Sequence, residues 1–357
     1  MKLAYVATWQ EDTRYTWSGS AYGLMKALEK RFCLTNYDVQ MEYPSGTYIE
    51  RNSTLGRTIL TKKMKKILKN TQDEIIFQLE DFANIENKIN CIYQDLSVDA
   101  IIDISIKNPE AFKVSGFQDV DFKFLNNRNR IQKEFYQKTD YIFVMGKYLK
   151  EHMINVTGIP REKIVICGAG VNIDTSQVNL KNKKKNKILF IGKDFRRKGG
   201  YLLLDAFIEL RKRMPEAELY IIGPDEKPFD GEIVGVYYLG FKSYEELPYY
   251  YNYCDVFCMP SKFEAYGIVF AEALIYGLPC IARNDFAMNE IIADGISGYL
   301  IDRDDVNFLA DKMHEALHNE KMSRFVRDQY SEYVIEYSWD TVADRIYKVL
   351  SANRKNG

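Results

Sequence analysis

The run ILFIGKDFRRKGGYLLLDAFIELRKRMPEAELYIIG, residues 188–223, decides the class of fold. Its ends, ILFIG (188–192) and AELYIIG (217–223), are short apolar runs that stop at glycine. Between them YLLLDAFIELRKRM (201–214) repeats its apolar residues at helical spacing. Strand, helix, strand is the grammar of a parallel pair, because a parallel connection needs a crossover long enough to hold a helix. The beat continues through VYYLG (236–240), helical SYEELPYYYNY (243–253), DVFCMPS (255–261), helical YGIVFAEALIYG (266–277) and PCIA (279–282). Strands alternating with helices predict a doubly wound α/β domain. Gly192, Gly223 and Gly240 end its strands on the carboxyl edge, where such sheets hold ligands.

The first half repeats this grammar more loosely, in KLAYVAT (2–8), the turn WSGS (17–20), helical AYGLMKALEKR (21–31), EIIFQL (74–79), INCIYQD (89–95), YIFVMG (141–146) and KIVICGAG (163–170). A chain of 357 residues exceeds what one core usually organises. We therefore expect two Rossmann-like domains, residues 1–175 and 186–338, facing a central cleft. The polar, lysine-rich SQVNLKNKKKNK (176–187) is the expected linker, and the amphipathic helix 339–353 is expected to pack back on the first domain.

Bulk composition excludes several classes. Forty-nine basic residues nearly cancel fifty acidic ones, which argues against a nucleic-acid-coating protein. The six cysteines are scattered, without a second pair or a nearby histidine to complete a zinc site, as in a reduced cytoplasmic protein. MKLAYVATWQ is too short and too quickly polar for a secretory leader, and no apolar run has the length of a membrane span, so the expectation is a soluble or peripheral protein.

Chemistry concentrates at three turns. In PSKFEAYGIVFAEALIYGLPCIA (260–282) Glu264 and Glu272 stand eight apart around Gly267. A helix starting near Tyr266 leaves the first N–H groups, those of Gly267, Ile268 and Val269, free to meet phosphate or sugar oxygens. Glu272, among Ala271, Ala273 and Leu274, is costly to bury unless hydrogen-bonded, and a vicinal diol would satisfy it; two solvated glutamates are the plainer alternative. The turn IGKDFRRKGG (191–200) packs Lys193, Arg196, Arg197 and Lys198 at the sheet edge, where a diphosphate would be held by charge-assisted bonds, or where they form an exposed basic turn. It is not a Walker loop, since its glycines follow the lysine. In WSGS, Gly19 permits close approach of a phosphate, a weak signal by itself.

Taken together, the basic turn, the glycine-tipped strands and P-S-x-x-E-x-x-G-x-x-x-x-E-A-x-x-x-G-x-P resemble the family 4 retaining glycosyltransferases of GT-B fold. The resemblance extends to Leu239-Gly240-Phe241 with Glu245 and Glu246, to Glu290 with Gly298-Tyr299-Leu300, and to Trp339 opening the last helix. It implies transfer of a hexose from a UDP- or GDP-sugar to a saccharide or lipid-linked acceptor, with no metal or other cofactor. On this resemblance Lys198, with Arg197, Lys193 or Arg196, neutralises the leaving diphosphate. Glu272 holds the ribose, Phe241 and Lys242 meet the base, and Gly223 borders the donor. Glu264 and the amides of Ala265, Tyr266 and Gly267 hold the sugar, those of Ile268 and Val269 meet the diphosphate, and Gly19 closes the phosphate site.

Three departures stand out. Many members carry a histidine where this chain has Tyr93-Gln94-Asp95, and His152, His314 and His318 follow no such strand. Asp95 is then the candidate catalytic partner, with Asp119 as second choice, although Asp95 capping the next turn is as good a reading. Lys193 stands at the usual arginine position, and Asn284–Asn289 replace a customary glycine pair.

Two alternatives remain at this point, a non-catalytic glycosyltransferase-like partner subunit and a metal-dependent GT-A enzyme using Asp119 and Asp121. The stretch TKKMKKILKN (61–70) would dock on an anionic membrane at the inner face, or serve as a solvated helix. No motif governs the first-domain loop 41–58.

Overall fold

The computed structural model describes residues 1–39, 52–180 and 186–353, so the loop 41–58 lies outside them up to residue 51 and the linker lysines from 181 to 185. The chain divides into two units, Met1–Gly170 with Ser338–Gly357, and Val171–Tyr337. The strands are β1 (Lys2–Ala7), β2 (Cys33–Asp38), β3 (Ile75–Gln78), β4 (Ile89–Gln94), β5 (Tyr141–Val144) and β6 (Ile164–Ile166) in the first unit. The second unit holds β7 (Lys187–Ile191), β8 (Glu218–Ile222), β9 (Val236–Tyr238), β10 (Val256–Met259), β11 (Cys280–Arg283) and β12 (Gly298–Ile301). The helices are α1 (Ser20–Leu28), α2 (Thr54–Leu68), α3 (Val98–Lys107), α4 (Pro109–Phe112), α5 (Phe122–Lys138), α6 (Lys147–His152), α7 (Gly200–Arg211), α8 (Leu247–Tyr253) and α9 (Ile268–Ile275). They continue with α10 (Met288–Ile291), α11 (Val306–His318), α12 (Glu320–Asp328), α13 (Tyr330–Glu336) and α14 (Trp339–Asn353).

Each unit is built on one six-stranded, all-parallel sheet, ordered β2-β1-β3-β4-β5-β6 in the first and β12-β11-β10-β7-β8-β9 in the second. The doubly wound expectation is met twice. Central strands such as β1, β3 and β7 are apolar and buried on both faces, as helix-covered parallel strands must be. Two strands escaped the sequence reading, β2 (CLTNYD) and β12 (GYLI), and both are sheet edges. β2 is largely exposed along its length and so carries no apolar run, whereas the other two edges, β6 and β9, keep runs of Ile, Val and Tyr.

In the first unit the last helix is held by Trp339. A Cβ on Gly23 would meet the indole Nε1 at 2.3 Å, and one on Gly170 would meet its Cγ at 2.5 Å, so both glycines make room for this ring. Val342, Ala343, Ile346 and Leu350 of α14 are fully buried, while Lys30–Asp340 (2.9 Å) and Arg31–Asp344 (2.5 Å) are surface ion pairs. Burial of that apolar stripe outweighs such pairs, which are worth about 0–1 kcal/mol each.

The second unit begins at Val171, ahead of the expected linker. The Val171 N–H donates to Tyr337 O (2.9 Å) and the Asn179 N–H to Asn252 Oδ1 (2.8 Å), and the Tyr276 hydroxyl donates to Asp174 O (2.5 Å). Asn179 is therefore tied into the second unit through its backbone, while Ser176, Gln177 and Asn179 stay exposed.

Candidate functional site

Register places the chemistry of the second unit on one edge of its sheet. β7 and β8 run in step from Lys187↔Glu218 to Ile191↔Ile222, so Gly192 and Gly223 end side by side. Gly192 N–H donates to Ile222 O (2.9 Å) and Gly223 N–H to Gly240 O (3.0 Å), bringing three strand tips together. Gly223 has φ +120°, and a Cβ there would lie 2.6 Å from Gly192 C, so only glycine allows this approach.

The basic turn leaves β7 and returns into α7. Lys198 reaches across to the loop after β10, the strand paired with β7, and its Nζ forms an ion pair with Glu264 Oε2. The two side chains are 13% and 12% exposed. Burial holds the Lys198 ammonium below the usual lysine range, with Arg197 adding to the effect and Glu264 offsetting part of it. Arg197 Nη1 donates to Phe263 O (3.0 Å) while Lys262 N–H donates back to Arg197 O (2.9 Å), which staples the turn to the glutamate loop. Lys193 is exposed and pairs with Asp225 at 3.3 Å, and Arg196 is exposed as well. The four basic residues therefore divide into the nearly buried Lys198 with the half-buried Arg197, and a solvated pair.

Helix α9 starts at Ile268, later than expected. Gly267 caps it at φ +95°, and a Cβ there would press on Phe270 at 2.8 Å and on Glu264 Cγ at 3.2 Å. Phe270 N–H folds back to Gly267 O (3.0 Å), and Ile268 and Val269 are left as first-turn donors with no intrahelical acceptor. Ala265 and Tyr266 lie between this helix end and Glu264.

Glu272 is 3% exposed and is no solvated charge. Its Oε2 accepts from the Tyr251 hydroxyl (2.9 Å) and its Oε1 from Asn172 N–H (3.4 Å). Burial pushes its carboxyl up to about 7, with Tyr251 and Asn172 pulling the other way. The sequence reading missed both partners. Tyr251 had a signal, because Leu247 and Tyr251 are four apart on α8 and both are buried. The Asn172 partner is a backbone N–H, which no side-chain motif encodes.

Further along the edge, Phe241 is 59% exposed just beyond Gly240, and Lys242 pairs with Glu246 at 3.7 Å. The segment Asn284–Asn289 carries Phe286 at φ +51°, a left-handed conformation rare for a bulky residue. Its buried ring meets Phe263 edge-on at 5.3 Å, beside Glu264. Asp304 ties Lys262 (2.7 Å) and Arg283 to the same region.

The first unit holds the remaining candidates. Gly19, at φ +87°, caps α1 after Trp17 and Ser18, which are left-handed too. Asp95 follows β4 half-buried, and the cap of α3 belongs instead to Ser97, whose Oγ accepts from Ala100 N–H at 3.2 Å. Asp121 caps α5, accepting from Phe124 N–H at 3.1 Å, and Asp119 accepts from Gln118 Nε2 at the same distance. Among the described residues no group of three or more His, Cys, Asp or Glu is placed to hold a metal ion, and no helix is long and apolar enough to cross a membrane.

Comparison with known proteins gives this edge its context. The family described as glycosyl transferases group 1 matches residues 171–334, essentially the whole second unit. A phosphatidyl-myo-inositol mannosyltransferase of Mycobacterium leprae is 29% identical over 199 residues, which is 53% of each chain. The solved structure of WaaG, a glycosyltransferase involved in lipopolysaccharide biosynthesis, superposes with a TM-score of 0.70 at 15% identity, covering 96% of this chain and 98% of that one. HepE of Anabaena, solved in complex with UDP-glucose, gives 0.69 at 15% identity over 99% and 100%. The chain spans 64% or less of the length of the first curated relatives it matches. The GT-A alternative built on Asp119 and Asp121 falls with the fold, since the architecture is two parallel sheets of GT-B type. Residues 171–334 thus match the group 1 glycosyl transferases, and the chain that carries them has the GT-B fold.

Proposed function

We propose that this chain is a retaining glycosyltransferase of family 4 type, moving a hexose from a UDP- or GDP-sugar to a saccharide or lipid-linked acceptor without a metal. The observation that carries the reading is the Lys198–Glu264 pair, nearly buried beside the open first turn of α9. An ammonium with three donors spends one on Glu264 and keeps two for an anionic leaving group. The amides of Ile268 and Val269 add to that charge stabilisation, which in such chemistry is the largest catalytic contribution. Arg197 fixes the turn, Lys193 and Arg196 attract the diphosphate, and Phe241 and Lys242 border the base. Glu264 takes the sugar end and Glu272 the ribose. Gly19 and Asp95 serve phosphate and acceptor from the first unit. The UDP-glucose bound to HepE supports a nucleotide-sugar donor.

The test is a thermal-shift panel of UDP- and GDP-sugars followed by transfer assays with and without EDTA. A donor that raises the melting temperature by mass action identifies base and sugar. Glu272→Ala is expected mainly to weaken UDP or GDP binding, and Glu264→Ala mainly to reduce transfer. No binding and no turnover across the panel would favour the partner-subunit alternative, and loss of transfer in EDTA would end the metal-free reading.

Helix α2 motivates a contact with an anionic membrane at the cytoplasmic face. Leu60, Met64 and Leu68 are buried, while Leu55 (70%), Ile59 (40%) and Ile67 (37%) are exposed together with Lys62, Lys65, Lys66 and Lys69. Apolar contacts flanked by lysines suit an anionic surface. Sedimentation with phosphatidylserine vesicles at low salt is expected to retain the chain, and its absence from the pellet would remove the membrane from the proposal.

A further inference from the structure

Glu272 has neither a cation to pair with among the described residues nor water to dissolve in. A carboxylate so placed drifts toward its neutral form unless something donates to it. Two groups donate, the Asn172 N–H at 3.4 Å and, closer, Tyr251. It is fully buried on α8, its ring is stacked on Tyr276 at 5.3 Å, and its hydroxyl lies 2.9 Å from Glu272 Oε2. That stacking fixes where the hydroxyl points and so which way the carboxylate turns.

We propose that Tyr251 is a positioning residue for nucleotide binding, favouring the ionised form of Glu272 and fixing it in one orientation so that the remaining lone pairs of its carboxylate can accept from the vicinal hydroxyls of a ribose. The inference rests on the reading that Glu272 meets the ribose. An ionised carboxylate only accepts, and a diol offers two donors, so the neutral acid is the poorer receptor.

The groups around the pair leave Glu272 alone to titrate near neutrality. Tyr276 at the end of α9 and Cys280 on β11 are both pushed up by burial and stay neutral. Asp174, whose backbone oxygen accepts from Tyr276, is held below the usual carboxylate range by hydrogen bonds from Ser176 and Gln177 and stays ionised. Tyr330, the remaining group facing Tyr276, is a phenol.

The experiment is calorimetric binding of UDP and GDP, each beside its 2′-deoxy counterpart, to the full chain from pH 6 to 8.5. Because ribo and deoxy forms share the diphosphate's own titration, their affinity ratio isolates the sugar hydroxyl. In the wild type the ratio is expected to rise with pH through the neutral range. Tyr251→Phe keeps the ring and loses the donor, so the rise should move to higher pH and the ratio at pH 7 should fall about tenfold, the usual effect of a lost hydrogen bond to a charged group. Glu272→Gln, which cannot titrate, should give a ratio flat in pH, and this holds even if Tyr251→Phe fails to fold. A Tyr251→Phe ratio equal to wild type at every pH, with the ratio lost in Glu272→Ala, would overturn the role of Tyr251 and leave the ribose reading standing. A ratio indifferent to Glu272→Ala would sink both, and a pH dependence retained in Glu272→Gln would sink the proposal by itself.

Discussion

Two lysines of the second unit, eleven residues apart in sequence, sit on opposite edges of one sheet and have opposite characters. Lys187 opens β7 on the amino edge. Its Nζ donates to Glu218 Oε2 (2.5 Å), Tyr253 Oη (2.7 Å) and Tyr220 Oη (3.1 Å), and it lies 4.0 Å from the Tyr253 ring centroid. Burial opposes its charge, but those partners outweigh it and hold the ammonium above the usual lysine range. All three donors are spent. Lys198, beyond the same strand's carboxyl end, is comparably enclosed and, among the described residues, pairs directly with one carboxylate, Glu264. Its charge is held below the usual range and its donors are not all used. The first arrangement is a staple; the second is an ammonium kept short of partners in the place where a leaving diphosphate would supply them.

The sharpest way to break this contrast is to remove each charge in turn. Lys198→Ala is expected to cut transfer by the folded fraction by about a thousandfold, near 4 kcal/mol of transition-state stabilisation, and also to lower stability, because Glu264 is left enclosed without its cation. Lys187→Ala leaves Glu218 facing two tyrosines without its cation, and should cost about 3 kcal/mol of stability in denaturant titration with transfer by the folded fraction unchanged. If instead Lys198→Ala melted the chain and left the rate intact, the two roles would have to be exchanged.

How far this was legible in sequence follows from the same physics. The apolar runs of the buried strands were readable because both faces of each are covered, whereas CLTNYD, largely exposed, and GYLI, a four-residue strand only partly buried, were not. Glu264, Glu272 and the basic turn were visible because their spacing falls within one loop and one helix. What turns Glu272 from a surface charge into a buried acceptor was hidden, since its partners are a tyrosine on another helix and a backbone N–H a hundred residues away. Phe286 was seen only as a missing glycine. That a bulky residue keeps the left-handed conformation, with its ring packed on Phe263, depends on tertiary contacts that compensate the strain.

Glu272 supplies a third acidic or basic group against which to measure the two lysines, one whose protonation itself shifts. Its ordinary value is 4.5 and burial raises it to about 7. Between those values the folded chain keeps a proton that the unfolded chain has released, so stability falls as pH rises through the window and is level above it. The change amounts to about 3 kcal/mol between pH 4.5 and 7. Denaturant titrations at pH 5 and pH 8 should show that loss in the wild type beyond any seen in Glu272→Gln. Equal pH dependence in the two chains would mean that Glu272 is ionised throughout, and the contrast would then have no pH-sensitive member.

The smallest effect belongs to Lys193, which shares the turn with Lys198 but not its enclosure. Its side chain is 77% exposed and its partner Asp225 is 65% exposed, at 3.3 Å. A solvated pair of that kind contributes about 0.5 kcal/mol or less to stability. Its field, however, reaches an incoming diphosphate and is screened over about 8 Å at physiological salt. Lys193→Ala should therefore leave the melting temperature unchanged and raise the donor KM a few-fold at low salt, with the difference shrinking as salt is added and kcat nearly constant. A loss of kcat as large as that of Lys198→Ala, insensitive to salt, would show that exposure does not separate the lysines of this turn, and enclosure would no longer be what distinguishes the working charge from its neighbours.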